Sequence, residues 1–144
     1  MSEPAMRIIA DLGQALGMPG LTAHDNVCEL AVDGRHRVQL IVVGSRRQIL
    51  MSCAVGPATP EARHAVLMAQ ANFMQAGGGG VLCTAPDGRA HVQLAVPFEH
   101  AGASSLISAL EALLGQIDVW DERLNRADTR GRPSGPPGFF MQPV

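Results

Sequence analysis

Residues 27–43 read VCELAVDGRHRVQLIVV, and this stretch decides the fold class. Cys28, Leu30 and Val32 alternate with Val27, Glu29 and Ala31, the period-two pattern of a strand with one buried face. Asp33-Gly34 supplies a tight turn, because both turn positions need positive φ and Asp and Gly tolerate it. The chain returns with Val38, Leu40 and Val42 on one face and Arg37, Gln39, Ile41 and Val43 on the other. Gly44-Ser45 turns it again into a third strand, Ile49 to Val55. Strands joined this tightly form an antiparallel meander.

Upstream, Ala5, Ile9, Leu12 and Leu16 recur at spacings of four and three, one face of a helix. Gly17 sits where a left-handed cap ends such a helix, and Pro19-Gly20 prevents continuation. Met6 and Ile8 lie off the stripe and leave apolar surface that one core need not cover. Downstream, Gly56-Pro57 ends the meander. Thr59 is the expected N-cap of a second helix, with Pro60 at its first position, running to about Ala76. Ala62, Ala65, Val66, Ala69 and Phe73 make one apolar face of it, and Leu67, Ala71 and Met74 a second. A helix apolar on two sides needs two packing partners; the sheet is one, and a second subunit is the natural other.

The glycines 77–80 stop that helix. A second hairpin follows: Val81 to Ala85, Pro86-Asp87-Gly88, and Ala90 to Val96 with Val92, Leu94 and Val96 on one face. A last helix starts near Ser104, and its stripe of Leu106, Leu110, Leu113, Ile117, Trp120 and Leu124 is the strongest periodic signal in the chain. The order α-β-β-β-α-β-β-α, with no βαβ alternation, predicts an α+β domain: an antiparallel sheet with helices packed on it, assembled as a homodimer. The expected domain covers residues 1–127. The Pro/Gly-rich residues 128–144 are expected to be a disordered tail, carrying Phe139-Phe140-Met141 as an apolar tag near its end.

Composition narrows the function. The net charge is −2 and no basic stripe is present; Arg35, Arg37, Arg46 and Arg47 read as a solvated strand edge, and Tyr is absent, so nucleic-acid binding is not expected. No apolar run approaches the roughly 20 residues of a membrane span, and the N-terminus lacks a signal-peptide pattern, which predicts a cytoplasmic protein. The glycine run follows a helix instead of opening one, and the chain has no Lys, which argues against a phosphate loop. Cys28, Cys53 and Cys83 lie far apart among apolar neighbours and read as packing residues. His24-Asp25 and Glu61-x-x-His64 are half-sites at best, and His36, His91 and His100 are scattered. No catalytic residue, metal site or cofactor is expected, although a small enzyme built from dispersed His and Cys stays an alternative.

The pattern resembles the class I chaperones of bacterial type III secretion, the Tir-chaperone-like family. The resemblance is carried by Leu16 to Leu21 (LGMPGL), Asp25 to Leu30 (DNVCEL), Val32-Asp33-Gly34, Gly56-Pro57 and Ala71-Asn72-Phe73 with the glycines after it. Ala85 to Gly88, Val96-Pro97, Trp120 and Arg123-Leu124 complete it. The charge here is nearer neutral than in many relatives, and the tail from about Gly131 lies outside the family pattern. The resemblance implies a homodimer that binds the N-terminal segment of a secreted effector and keeps it soluble for the export apparatus, with no catalysis. It places the dimer interface at Leu67, Ala71, Met74 and Val81, Leu82 and Cys83. It places effector binding at Met6, Ile9, Val38, Leu40 and Val42. A regulatory or structural protein-binding module of the same fold is the other alternative.

Overall fold

The computed structural model describes residues 3–73 and 79–129. Its elements are α1 (Glu3–Ala15), β1 (Val27–Val32), β2 (His36–Val43), β3 (Gln48–Ala54), α2 (Ala62–Asn72), β4 (Val81–Thr84), β5 (Ala90–Pro97) and α3 (Ala103–Thr129). The expected α+β order is therefore observed. Short 3-10 turns occupy Gly44–Arg46 and Phe98–His100.

The five strands form one antiparallel sheet in the order β1-β2-β3-β5-β4. Asp33 and Gly34 both take positive φ, 54° and 65°, and the Arg35 N–H closes the turn on the Val32 carbonyl at 3.1 Å. The β1–β2 register pairs Cys28 with Leu40 and Leu30 with Val38, so the alternating apolar residues share one face. That face continues through Ile49, Met51 and Cys53 on β3 and Val92 and Val96 on β5, all buried. The α3 stripe from Leu106 to Leu124 is buried along its whole length, together with Ala5, Ile9 and Leu12 of α1. One core thus lies between a single sheet face and the α1–α3 pair.

Both ends of α2 differ from expectation. Its N-cap is Glu61 instead of Thr59: the Glu61 side chain takes the backbone N–H of His64, and the Glu61 N–H donates to His64 Nδ1 at 2.8 Å. This reciprocal box outcompetes the Thr59 hydroxyl because it satisfies two amide donors at once. The described helix ends at Asn72, and the expected continuation over 74–76 lies outside the described residues. The α3 helix runs to Thr129, two residues past the expected domain boundary, and the tail beyond it lies outside the described residues.

Gly56 is required where the meander meets α3. Its φ is 77°, and a Cβ there would stand 2.8 Å from the Leu124 Cβ. Its N–H donates to Asp121 Oδ1 at 2.8 Å, tying the end of β3 to α3.

The two sheet edges are treated differently. On β4, the Asn72 side chain accepts from the Leu82 N–H at 2.9 Å and donates to the Leu82 carbonyl at 2.7 Å, filling the place of a neighbouring strand. On β1, the Val42 N–H bonds the Asn26 carbonyl, a register that turns the backbone groups of Val27, Glu29 and Ala31 to the free edge. His24 covers Val27 through two backbone bonds of 2.9 and 3.0 Å, made possible by left-handed Asp25 and Asn26. Among the described residues no backbone hydrogen bond covers the outer edge at Glu29 or Ala31. Among the described residues no helix is long and apolar enough to cross a membrane.

Candidate functional site

Burial divides the expected effector-contact set. Ile9, Val38, Leu40 and Val42 are at most 7% exposed, because they face the side of the sheet on which α1 and α3 pack. They are core residues. Met6 alone of that set stands out, at 54% exposure. The opposite sheet face, with Glu29, Arg37, Gln39 and Ile41, carries no helix of the α1–α3 layer.

The apolar leftover at Ile8 forms part of a groove of about 490 Å³ lined by Glu3, Pro4, Arg7, Ile8, Arg47, Phe98 and Glu99. Pro4 and Ile8 come from one side of α1. Phe98 comes from the turn after β5, held because its N–H donates to the Arg47 carbonyl at 2.9 Å. The Arg47 guanidinium lies 5.6 Å from the Phe98 ring centre, and Arg47 itself is left-handed, at φ 50°. A non-glycine residue holds that conformation only when its surroundings enforce it, a feature that gathers at binding sites. The result is an apolar floor rimmed by two acids and two arginines. It suits a segment carrying one large aliphatic or aromatic anchor among charges. Phe98 was not legible as a site residue, because only the fold brings it to α1.

The expected dimer set divides. Val81 is 54% exposed and Leu67 and Cys83 are half-buried, but Ala71 and Leu82 are buried within the chain, and Met74 lies outside the described residues. The face of α2 that turns inward is His64, Met68 and Ala71. Ala62, Ala65, Val66, Ala69 and Phe73 are all exposed, with Val66 at 57% and Phe73 at 74%. Among these elements the uncovered apolar surface is the outer stripe of α2, with Val81 exposed on β4.

A third surface tests for chemistry. The β2–β3 ladder stops at Gln39 and Ser52, while β3 stays paired with β5 as far as Ala54 and His91. The strands splay there and open a polar cleft of about 620 Å³ that includes Arg37, Ser52, Cys53, Arg89, His91 and Asp121. Ser52 Oγ is 3.1 Å from His91 Nδ1 and accepts from Gln93 Nε2 at 3.1 Å. This resembles a nucleophile–base pair, but Ser52 is buried and, among the described residues, no carboxylate accepts a hydrogen bond from the His91 ring. The Cys53 thiol is pushed up from its ordinary value by burial and further by Asp121, with Arg89 opposing; burial raises Cys28 and Cys83 likewise. Protonated thiols are poor nucleophiles. Among the described residues no three His, Cys, Asp or Glu side chains gather as a metal-holding set.

Burial also lowers His91 below its ordinary value of 6.5, with Asp87 opposing and Arg89 assisting. The unfolded chain therefore binds this proton more readily than the folded one, and stability falls as pH drops through and below about 6.5. The melting temperature of the wild type should decline more steeply between about pH 7 and 5 than that of His91→Gln. Parallel curves would show that His91 does not contribute.

A model of the Tir chaperone protein (CesT) family matches residues 7–121, well over half of the chain. The chain belongs to the CesT family. This CesT-family chain also matches solved structures over most of its length. With the HopA1–SchA chaperone–effector complex the TM-score is 0.71 at 20% identity, covering 85% of this chain and 98% of the other. With the ExsC–ExsE complex the values are 0.74 and 17%, covering 86% and 97%. With the ExoT–SpcS complex from Pseudomonas aeruginosa they are 0.66 and 21%, covering 83% and 99%. At these identities the likeness is one of fold. No curated protein matches the sequence significantly.

Proposed function

We propose that this CesT-family protein is a type III secretion chaperone, a homodimer in the bacterial cytoplasm that holds the N-terminal segment of a secreted effector in an export-competent state. The observation that carries the reading is the family match over residues 7–121. The geometry supports it in three ways. An extended client can pair with the open Glu29 and Ala31 backbone on β1, where main-chain hydrogen bonds bind without demanding a particular sequence. An apolar client side chain can occupy the Pro4, Ile8 and Phe98 groove. The outer stripe of α2 with Val81 can bury itself against a second copy. Each step is non-covalent, and no side chain is asked for chemistry.

The test is affinity purification of the tagged protein from its own bacterium under secretion-inducing conditions. One dominant secreted protein, retained through its N-terminal region, is expected. Recovery of the chaperone alone while the secretion system is expressed would overturn the reading. Cys53→Ser and Cys83→Ser variants should retain the client as the wild type does. Abolished function in either would point instead to a thiol enzyme working in the polar cleft.

A further inference from the structure

The polar cleft carries charges that effector binding leaves unused. Arg35, Arg37 and Arg89 line it together with His36 and His91, against two carboxylates, Glu29 and Asp121. Each carboxylate already has a partner. Glu29 lies 3.9 Å from the Arg37 guanidinium, and Asp121 accepts the Gly56 N–H at 2.8 Å. Among the described residues, neither the Arg35 nor the Arg89 guanidinium has an acidic partner. Arg89 is held at the cleft because its Nη2 donates to the Gly56 carbonyl at 3.4 Å. Its positive charge reaches the interior, where it opposes protonation of His91 and favours ionisation of Cys53.

The backbone adds a donor at the same place. Continued past Gln39 and Ser52, the β2–β3 register would pair Arg37 with Ala54, but the ladder has already stopped. The Val55 N–H bonds the Ala90 carbonyl on the β5 side, and successive amides of a strand point in opposite directions. The Ala54 N–H therefore faces the gap that β2 has left. Water can satisfy such an amide, but it cannot offset guanidinium charges beside it. An oxyanion does both, because charge-assisted hydrogen bonds to an amide and to arginines strengthen one another's site.

We propose that the cleft binds a phosphate-class dianion, received by the Arg89 guanidinium and the Ala54 N–H, with the exposed Arg35 and Arg37 closing on it from the β2 side. Two guanidinium groups without acidic partners call for a double charge, which a single carboxylate does not supply. The bound ion bridges β2 and β3 where their ladder is missing.

His91 lines the cleft and is one of five histidines, so its ring resonances, identified by their loss in His91→Gln, report on the site. Inorganic phosphate added to the full-length protein at constant ionic strength and about pH 7.5, where a phosphate is mainly doubly charged, should displace them saturably. Arg89→Gln should weaken that response roughly ten-fold or more, the loss of one charge-assisted hydrogen bond. Arg35 is exposed, so Arg35→Gln should weaken it without disturbing the fold. Arg46→Gln removes the same charge outside the cleft and should leave the response unchanged. Glycerol 2-phosphate separates two sources of the group: competition with phosphate admits a phosphorylated molecule, and its exclusion restricts the cleft to the free ion. A displacement that never saturates would overturn the proposal. Saturation at wild-type strength in both Arg89→Gln and Arg35→Gln would overturn it too, placing the ion elsewhere. An acetate response as strong as that to phosphate would overturn the choice of a dianion.

Discussion

In the proposed homodimer, Val66→Asp combined with Phe73→Asp should leave only monomer. Both side chains stand on the outer stripe of α2, more than half exposed and touching nothing in their own core. Ala62, Ala65 and Ala69 beside them are small and let a partner helix approach within the usual 8–10 Å axis separation. Burying side chains of this size at an interface contributes about 2 kcal/mol each. Losing both raises the dimer dissociation constant by roughly a thousand-fold, before the added charges repel across the interface. Light scattering should therefore report a monomeric mass at micromolar concentrations. The melting curve of the subunit itself should change little, because neither residue packs inside it. A dimeric mass in the variant would move the interface elsewhere, and a monomeric wild type would remove the dimer altogether.

In the proposed chaperone, Ile8→Asp should weaken effector retention roughly thirty-fold without disturbing the proposed dimer face. Ile8 shares its groove with Pro4 and Phe98, and a carboxylate there would be desolvated by any apolar anchor that entered. A penalty of about 2 kcal/mol or more corresponds to roughly thirty-fold weaker binding. Ile8 also leans on the core, so Ile8→Ala serves as the control for packing. If both variants retain the client as the wild type does, the groove is not where the effector anchors. If alanine alone fails as badly as aspartate, the loss comes from α1 packing and not from groove polarity.

The partners of these predictions were legible to different degrees. Met6 and Ile8 stood out in the sequence because they fall off the Ala5, Ile9, Leu12 stripe, and both remain at least partly accessible. Phe98 and Arg47 gave no such signal: they are 51 residues apart and meet through one backbone hydrogen bond. Val66 and Phe73 were readable as one of two apolar faces, but nothing local says which face a helix turns outward. The polar cleft was equally hidden, as it exists only where β2 parts from β3.

Element types and order, the Asp33-Gly34 turn, and the buried stripes of α1 and α3 were determined by the sequence alone. Each rests on periodicity or on a backbone preference acting within a few residues. The tertiary structure decided three other matters. It placed β5 and not β4 against β3, giving the longer strand two neighbours and leaving the four-residue β4 at an edge that Asn72 covers. It turned His64, Met68 and Ala71 inward and left Val66 and Phe73 outside. It faced Val38, Leu40 and Val42 into the core. Periodicity states which residues share a face; which way that face looks depends on what packs against it, and that is a property of the assembled chain.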